Sequence, residues 1–372
     1  MKGIFFILLL AVTASYSQST PNNHKTLSIG SKAPDFKLPG VDGKTYTLAS
    51  FKNAAVLVII FTCNHCPTAQ AYEDRIIQLA KYYSAKNVAV VAINPNDPKS
   101  VRLDELGYTD MSDSYAEMKR RAKQKHFNFP YLYDGATQVT ARAYGPVATP
   151  HVFIFDKARI LRYQGRIDNV EKPTKTPTEL NTRDAIEALL QNKPVPVETT
   201  KVFGCSVKWA EKTSLVKQGF EEWAKEPVTV NTIDEPALKE LVKNPSDKLR
   251  LINIWATWCG PCVTEFPEFI SINRMYRRRD FEFISVSADD PTKKGKVLKF
   301  LQQQQASNTN YLFAIDDKYK LIEAIDANWQ GALPYTLLVE PGGKIVYSKQ
   351  GPINPDEIKR LIVDNRLIGR FY

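Results

Sequence analysis

The sequence contains little cysteine and histidine for its length. Its 372 residues include five cysteines and four histidines, which excludes a small disulfide-stapled scaffold and leaves few ligands for a large multi-metal centre. Glycine (17) and proline (23) are too sparse for a collagen-like or low-complexity chain. With 43% hydrophobic and 24% charged residues, the composition is that of a globular protein, and the length predicts two domains.

No stretch after the N-terminus approaches the roughly 18 uninterrupted apolar residues of a transmembrane helix. At the N-terminus, Met1-Lys2 precede an apolar run over 3–12 and small residues over 13–17. This pattern predicts a cleavable signal peptide over 1–17 and a periplasmic or secreted protein with no stable membrane insertion after cleavage. The net charge of +10 is spread along the chain, so we expect no nucleic-acid partner.

The remainder of the chain follows one strand–helix–strand pattern twice. In the first copy, apolar runs over 54–61 and 88–93 predict buried parallel strands with a helix between them, and a hairpin is expected over 152–163. The second copy predicts strands over 249–255 and 281–286 and a hairpin over 335–347.

Two further stretches of the sequence indicate a linker between the copies and a charged surface on the second copy. The Pro-containing polar stretch over 191–200 is the predicted linker, since its prolines prevent a helix. The charge run Arg277–Arg279 is interpreted as part of a solvated helix face or helix end.

In each copy the first strand leads into a Cys-x-x-Cys motif. This spacing places both sulfurs within one helical turn, so a disulfide closes easily, and a helix N-terminus lowers the pKa of the thiol beside it. We expect the first cysteine of each motif, Cys63 or Cys259, to lie at the helix N-terminus and to attack target disulfides. Cys66 and Cys262 then resolve the mixed disulfides. Paired zinc knuckles are disfavoured because each motif lies between a buried strand and an amphipathic helix.

The second motif has a specific resemblance. The stretch WATWCGPC over 255–262 resembles the thioredoxin signature, and TEFP over 264–267 is similar to the TlpA/ResA-like reductases. The stretch over 331–339 resembles the thioredoxin cis-proline loop, which implies that Pro334 faces the active-site disulfide. The resemblance covers residues 225–372.

Residues 27–209 resemble the redoxin branch of the same superfamily, which includes the AhpC/TSA or peroxiredoxin-like proteins. Pro150 takes the cis-proline position in this resemblance. The motifs that carry it are the stretches over 29–38, 42–43, 64–67, 144–145, 149–150 and 204–209.

The two resemblances imply an α/β protein with two tandem thioredoxin-like folds, each a central mixed β-sheet flanked by helices. The expected division is a redoxin or peroxiredoxin-like domain over 27–190, a linker over 191–224 that contains Cys205, and a TlpA-like thioredoxin domain over 225–372.

Two departures from the family patterns affect the expected chemistry. Peroxiredoxins carry Thr or Ser three residues before the reactive cysteine, whereas Ile60 precedes Cys63 and Cys63 precedes Cys66, so this peroxide-binding arrangement is missing. Thioredoxins also carry a buried Asp six residues before the first cysteine, where this chain has Asn253 in the second copy and Leu57 in the first.

Three more residues are candidates, each with an alternative. Glu265 either supplies the missing carboxylate, as the ResA-like resemblance implies, or stabilises the first turns of its helix. His65 either stabilises the Cys63 thiolate, which would make the first domain the more oxidising one, or is an exposed loop residue. Cys205 is either a third redox thiol or a half-buried residue packed beside Trp209.

The sequence therefore predicts an extracytoplasmic thiol-disulfide oxidoreductase that uses two Cys-x-x-Cys sites and no organic cofactor. Its expected partners are protein disulfides or thiols and, from similar proteins, a membrane electron donor. One alternative is a hydroperoxide reductase with a built-in thioredoxin reductant. The other is a copper or cytochrome-maturation binding protein that uses its thiols as ligands, since sulfur with imidazole suits Cu(I).

Overall fold

The computed structural model describes residues 24–172 and 175–370. The predicted signal peptide over 1–17 lies outside the described residues. Two mixed β-sheets, each flanked by helices, form the two halves of the chain, so the predicted fold class is confirmed. Within the described part of the chain, no helix is long and apolar enough to span a bilayer.

The first half contains nine strands and five α-helices among the described residues. The strands are β1 (Lys37–Pro39), β2 (Thr45–Thr47), β3 (Val56–Phe61), β4 (Val88–Asn94), β5 (Tyr131–Tyr133), β6 (Ala148–Thr149), β7 (His151–Phe155), β8 (Leu161–Gly165) and β9 (Cys205–Ser206). The helices are α1 (Pro67–Tyr83), α2 (Tyr115–Lys125), α3 (Val139–Tyr144), α4 (Asn181–Leu190) and α5 (Thr213–Trp223). Single 3-10 turns cover Leu48–Phe51, Pro98–Ser100, Leu103–Leu106 and Ala210–Lys212.

The main sheet of the first half has the strand order β5-β4-β3-β7-β8. β3 is parallel to β4 and antiparallel to β7, which forms the expected hairpin with β8. Every residue of β3 is buried, because side chains on both of its faces enter hydrophobic clusters. The continuous apolar run that predicted this central strand is therefore explained by burial on both sides of the sheet.

The second half repeats this arrangement with one more strand in its main sheet. Its strands are β10 (Asn231–Ile233), β11 (Leu249–Trp255), β12 (Phe281–Ser287), β13 (Thr309–Phe313), β14 (Tyr335–Glu340) and β15 (Lys344–Gln350). Its helices are α6 (Glu235–Val242), α7 (Gly260–Tyr276), α8 (Lys294–Gln303), α9 (Lys318–Ile325) and α10 (Pro355–Asp364), with a 3-10 turn at Pro291–Lys293. The order β10-β13-β12-β11-β14-β15 again places the strand before Cys-x-x-Cys inside the sheet.

The end of the predicted linker stretch and the segment after it pack on the first sheet. The Thr200 N–H donates to Gln164 O of β8 at 3.2 Å, and β9 pairs antiparallel with β6. Val207 and Trp209 are buried in the hydrophobic cluster on one face of this sheet. Part of the 191–224 segment therefore belongs structurally to the first half, while the domain boundaries themselves stay a prediction.

The two halves meet where the loop after β4 packs against the C-terminal end of α7. Val101 and Leu106 lie in the same hydrophobic cluster as the buried side of α7. The Tyr276 hydroxyl donates to Thr109 O at 2.8 Å. We call the loop over 101–114 the bridging segment, because its first part contacts the second half.

The arginines at the end of α7 belong to this contact. Arg278 donates to Asp104 of the bridging segment at 2.7 Å, and Arg279 donates to Gly107 O at 3.2 Å. Arg277 forms a two-pronged ion pair with Glu226. The run lies at a helix end as expected, and Arg278 is 65% exposed. The contacts of Arg278 and Arg279 with the bridging segment were not expected, since a linear charge pattern carries no information about a partner so distant in the sequence.

Candidate functional site

The two Cys-x-x-Cys motifs meet their helices at different cysteines. In the second half, Cys259 is the N-cap of α7, as expected. In the first half the N-cap of α1 is Cys66, so the prediction that Cys63 lies at the helix N-terminus is wrong. The reason is the length of the connection: β3 ends at Phe61, which leaves Cys63 in the loop and brings the second cysteine to the helix.

Three thiols lie together in the first half, and we call Cys63, Cys66 and Cys205 site 1. Cys63 Sγ is 3.1 Å from the Thr149 hydroxyl, and Cys66 Sγ is 3.4 Å from Thr149 O. The Cys205 N–H donates to Cys66 Sγ at 3.3 Å. Cys63 and Cys66 are 2% and 0% exposed, whereas Cys205 is partly exposed. Cys66 is therefore central, with one thiol on each side.

A buried histidine and carboxylate stand beside these thiols. His65 Nδ1 lies 2.5 Å from Asp113 Oδ2, and both side chains are buried. Asp113 also accepts from the Asn64 N–H at 2.7 Å and from Asn96 Nδ2 at 2.8 Å. His65 is only 1% exposed, so the alternative of an exposed loop histidine is wrong.

These contacts separate the pKa values in site 1. Burial alone would lower the pKa of His65, but the Asp113 carboxylate raises it above its ordinary value. Burial would raise the pKa of Cys66, but hydrogen bonds from Cys205 and Cys63 together with the charge of His65 hold it well below the ordinary value. Burial and the hydrogen bond with Cys66 raise the pKa of Cys63. The thiolate of site 1 is therefore on Cys66.

The group formed by Cys63, His65 and Asp113 has residue types that bind metal ions. Donor atoms of Cys63, His65 and Asp113 lie within 4.8 Å of one another, and all three residues are buried. However, the oxygens of Asp113 already accept hydrogen bonds from Asn64 and Asn96 and face His65. This carboxylate is therefore suited to orient His65 rather than to bind an ion directly.

Site 2 consists of Cys259 and Cys262, which form a disulfide at the N-terminus of α7. The Cys262 N–H donates to Cys259 Sγ at 3.3 Å. Asp289 holds the preceding loop by accepting from the Thr257 N–H at 2.8 Å and from its hydroxyl at 2.6 Å. Trp258, next to the disulfide, is 58% exposed, so an accessible aromatic ring adjoins site 2.

Glu265 lies three residues after Cys262, on the same face of α7. Its Oε2 accepts from the Ile353 N–H at 2.8 Å, while its Oε1 is buried without a partner among the described residues. Burial raises the pKa of Glu265 to about 7, against the opposing effect of the Ile353 hydrogen bond. Such a carboxyl can exchange a proton near neutral pH, which a solvated carboxylate in the first turns of a helix does not do.

Both prolines expected to follow a cis peptide bond do so. These bonds are Thr149-Pro150 and Leu333-Pro334. Thr149 contacts both cysteines of the first motif, so the Pro150 loop lies against site 1. His151, which follows Pro150, is buried and contacts Gln164 at 2.9 Å, and burial lowers its pKa to about 4. It is therefore a neutral packing residue of β7.

The residue that sequence reasoning missed is Asp113. It belongs to no motif and lies 48 positions from His65. The one local signal is the capping box Ser114–Glu117, which marks the start of α2 and so places Asp113 in the preceding loop. That signal fixes a helix boundary, but it does not indicate which buried group the loop carboxylate meets.

The fold and the two sites define the chain as a protein of two mixed α/β domains, each with a Cys-x-x-Cys motif before its first long helix. The AhpC/TSA family model matches residues 29–164, and the Redoxin family model matches residues 228–364. The chain therefore belongs to the thioredoxin superfamily, with two domains of that superfamily in tandem. Redoxin domains fit an oxidoreductase role.

Curated relatives are similar over a limited length. The thiol-disulfide oxidoreductase ResA of Geobacillus thermodenitrificans (strain NG80-2) is 28% identical over 109 residues, which are 29% of this chain and 58% of the relative. ResA of Bacillus subtilis (strain 168) is 28% identical over 95 residues, 26% of this chain and 49% of the relative. The chain thus spans about half the length of these relatives.

Solved structures are also similar to part of the chain. A hypothetical protein from Sinorhizobium meliloti 1021 is 33% identical with a TM-score of 0.45, over 50% of this chain and 97% of that one. An uncharacterized conserved protein from Geobacillus kaustophilus is 38% identical with a TM-score of 0.44, over 49% of this chain and 92% of that one.

Proposed function

We propose that this protein is an extracytoplasmic thiol-disulfide oxidoreductase that performs dithiol–disulfide exchange at both sites. The observation that carries the proposal is that in each half one cysteine of the Cys-x-x-Cys motif caps a helix N-terminus. Its partner lies three residues before it at site 1 and three residues after it at site 2. Helix dipole and free N–H groups stabilise a thiolate at that position. Exchange then needs no cofactor, since the electrons move between sulfur atoms.

The cysteine that caps the helix at each site indicates which sulfur attacks. Cys259 attacks at site 2 and Cys262 resolves, with the protein thiol or disulfide client contacting the exposed Trp258. At site 1 the cap position and the lowered pKa favour Cys66 as the nucleophile and leaving group, with Cys63 as its partner. Pro150 follows Thr149, which contacts both cysteines of site 1, and we assign Pro334 the corresponding position facing the disulfide of site 2. A membrane electron donor and a periplasmic or secreted location remain part of this proposal.

A glutathione redox titration of two double variants tests it. Cys63→Ala/Cys66→Ala leaves site 2, and Cys259→Ala/Cys262→Ala leaves site 1. We expect each protein to titrate as a two-electron dithiol couple, with site 1 the more oxidising because its Cys66 thiolate is stabilised; about 30 mV corresponds to about 1.4 kcal/mol of differential stabilisation. Absence of a titratable disulfide in both variants would refute the function, and equal potentials would refute the order.

A hydroperoxide reductase is the second candidate, favoured by the AhpC/TSA match over 29–164 and by the thiolate at Cys66. With Cys66 as the reactive cysteine, Cys63 stands three residues before it, at the position where peroxiredoxins carry Thr or Ser. Peroxide consumption by the Cys259→Ala/Cys262→Ala variant with an external dithiol separates the two functions.

Copper binding through the thiols is the third candidate, and metal content after purification under reducing conditions tests it.

A further inference from the structure

A short strand of the chain lies across site 1. β9 pairs antiparallel with β6, and in this register Cys205 faces Thr149, the residue before Pro150. The Cys205 N–H points at Cys66 Sγ, 3.3 Å away. An extended polypeptide can bind by adding a strand to such an edge. Here that edge is already filled by a cysteine-bearing segment of the same chain.

The approach of this strand to the Pro150 loop depends on Gly204. This residue has a φ of +141°, and a Cβ at its position would lie 2.1 Å from Thr149 O. Only glycine therefore allows the two backbones to come this close. On the other side of Cys205, the Lys208 N–H donates to Asn96 Oδ1 at 2.8 Å. The segment is thus fixed at both ends of the contact.

Access to the three sulfurs is unequal. Cys66 is fully buried and Cys63 is 2% exposed, so a thiol in solution meets neither of them directly. Cys205 is partly exposed and is packed against the other two residues. Cys205 is therefore the most accessible of the three thiols.

We propose that Cys205 is the exchange thiol of site 1, that is, the thiol that reacts with thiols from outside the protein. It occupies the position that the cysteine of an extended client would take. Site 1 therefore reacts with small or flexible dithiols at Cys205 and not with a polypeptide strand added to β6. This inference rests on the proposed function and specifies the substrate class of one of its sites. Site 2, which has an exposed tryptophan beside its disulfide, keeps the extended protein clients.

Reduction of site 1 then takes three exchanges. The Cys205 thiolate attacks Cys66 Sγ of the Cys63–Cys66 disulfide, which releases Cys63 as a thiolate that takes up the proton lost by Cys205. One thiolate of an external dithiol attacks Cys205 Sγ and releases the Cys66 thiolate. The second thiol of the reductant attacks its own mixed disulfide and releases Cys205. Two electrons pass from the dithiol, which becomes a disulfide, to the protein.

The environments of Cys66 and Cys205 agree with this order, and Cys63, whose pKa is raised, leaves by taking up the proton that Cys205 has lost. Cys66 is a good leaving group because its thiolate is stabilised, and low-pKa thiols leave faster. The pKa of Cys205 is raised first by its hydrogen bond with Cys66 and then by burial. Disulfide formation at Cys66 removes that hydrogen bond, so Cys205 becomes easier to ionise when it is required to attack.

The test uses the full chain with Cys259→Ser/Cys262→Ser as the parent, so that only site 1 reacts. To this parent we add Cys205→Ser or, as a matched control in the same strand, Ser206→Ala. Each protein is oxidised with oxidised glutathione, the rate of reduction by dithiothreitol is measured, and the position of a trapped glutathione adduct is mapped by mass spectrometry of peptides.

We expect the adduct on Cys205 in the parent and in the Ser206→Ala control. In Cys205→Ser the Cys63–Cys66 disulfide should still form, but its reduction should slow by at least about tenfold, because a buried sulfur reacts only after local opening. An unchanged rate, or an adduct on Cys63 or Cys66 in the parent, overturns this inference alone. A parent that forms no disulfide overturns the proposed function of site 1 and this inference with it.

Discussion

His65 Nδ1 lies 2.5 Å from Asp113 Oδ2 in the interior of the protein, where both side chains are shielded from water. Asp113 belongs to the bridging segment, whose earlier residues Leu106 and Thr109 contact the second half of the chain. The carboxylate that charges the histidine beside Cys66 is therefore carried by the same loop that holds the two halves together.

Asp113→Asn should raise the pKa of Cys66. Without the carboxylate, burial of His65 is no longer opposed, so the histidine is neutral at pH 7 and withdraws its stabilisation of the Cys66 thiolate. We expect a rise of at least about one pH unit, which corresponds to about 1.4 kcal/mol. The measurement is a pH titration of thiolate absorbance at site 1 in the Cys259→Ser/Cys262→Ser background.

Asp74→Asn is the matched control for this experiment. Asp74 lies on α1 and pairs with Lys125 at the surface, with a side chain that is 70% exposed. This substitution also removes one negative charge from the first half, and it should leave the Cys66 titration where it was. Equal shifts in both variants would mean that net charge, and not the buried dyad, sets the pKa of Cys66.

The limits of the sequence are visible at these same residues. The buried strands β3 and β11 follow from continuous apolar runs, and the Cys-x-x-Cys motifs from their spacing, because both signals are local. The choice of Cys66 over Cys63 as the helix cap depends on where α1 begins, and apolar periodicity does not fix a helix start to within three residues. Asp113 depends on a contact between distant segments, which no local pattern encodes.

Glu265→Gln should remove a pH dependence from site 2. The pKa of Glu265 is raised to about 7, so the carboxyl is protonated below this pH and available to protonate a leaving thiolate, and ionised above it. The rate of disulfide exchange at site 2, measured from pH 5 to 9 in the Cys63→Ala/Cys66→Ala variant, should show an inflection near pH 7 that is lost in Glu265→Gln. Glu268→Gln, an exposed position on the same helix, should keep the inflection.

Gly204→Ala should expose Cys66. The added Cβ cannot be accommodated 2.1 Å from Thr149 O, so β9 must move away from β6. Alkylation of Cys66 by iodoacetamide, located by peptide mass spectrometry, should be faster by about fivefold or more, because the sulfur loses its cover. Gly43→Ala is the matched control: Gly43 also has a positive φ (+82°) but has nothing within 4 Å of an added Cβ. A similar gain in that variant would point to general loosening instead of strand displacement.

Leu106→Ala should weaken the contact between the halves and, through it, alter site 1. Leu106 is 5% exposed and packs in the hydrophobic cluster of α7, so its truncation should cost about 2–4 kcal/mol in denaturant unfolding. Arg278→Ala removes a side chain that is 65% exposed and leaves Asp104 paired with Arg102, so it should cost less than about 1 kcal/mol. Because the bridging segment continues to Asp113, a loosened Leu106 should also loosen the dyad with His65 and raise the pKa of Cys66, whereas Arg278→Ala should not.

If Leu106→Ala lowers stability while the Cys66 titration stays unchanged, then Asp113 is held by its own hydrogen bonds to Asn64 and Asn96, and the second half has no influence on site 1.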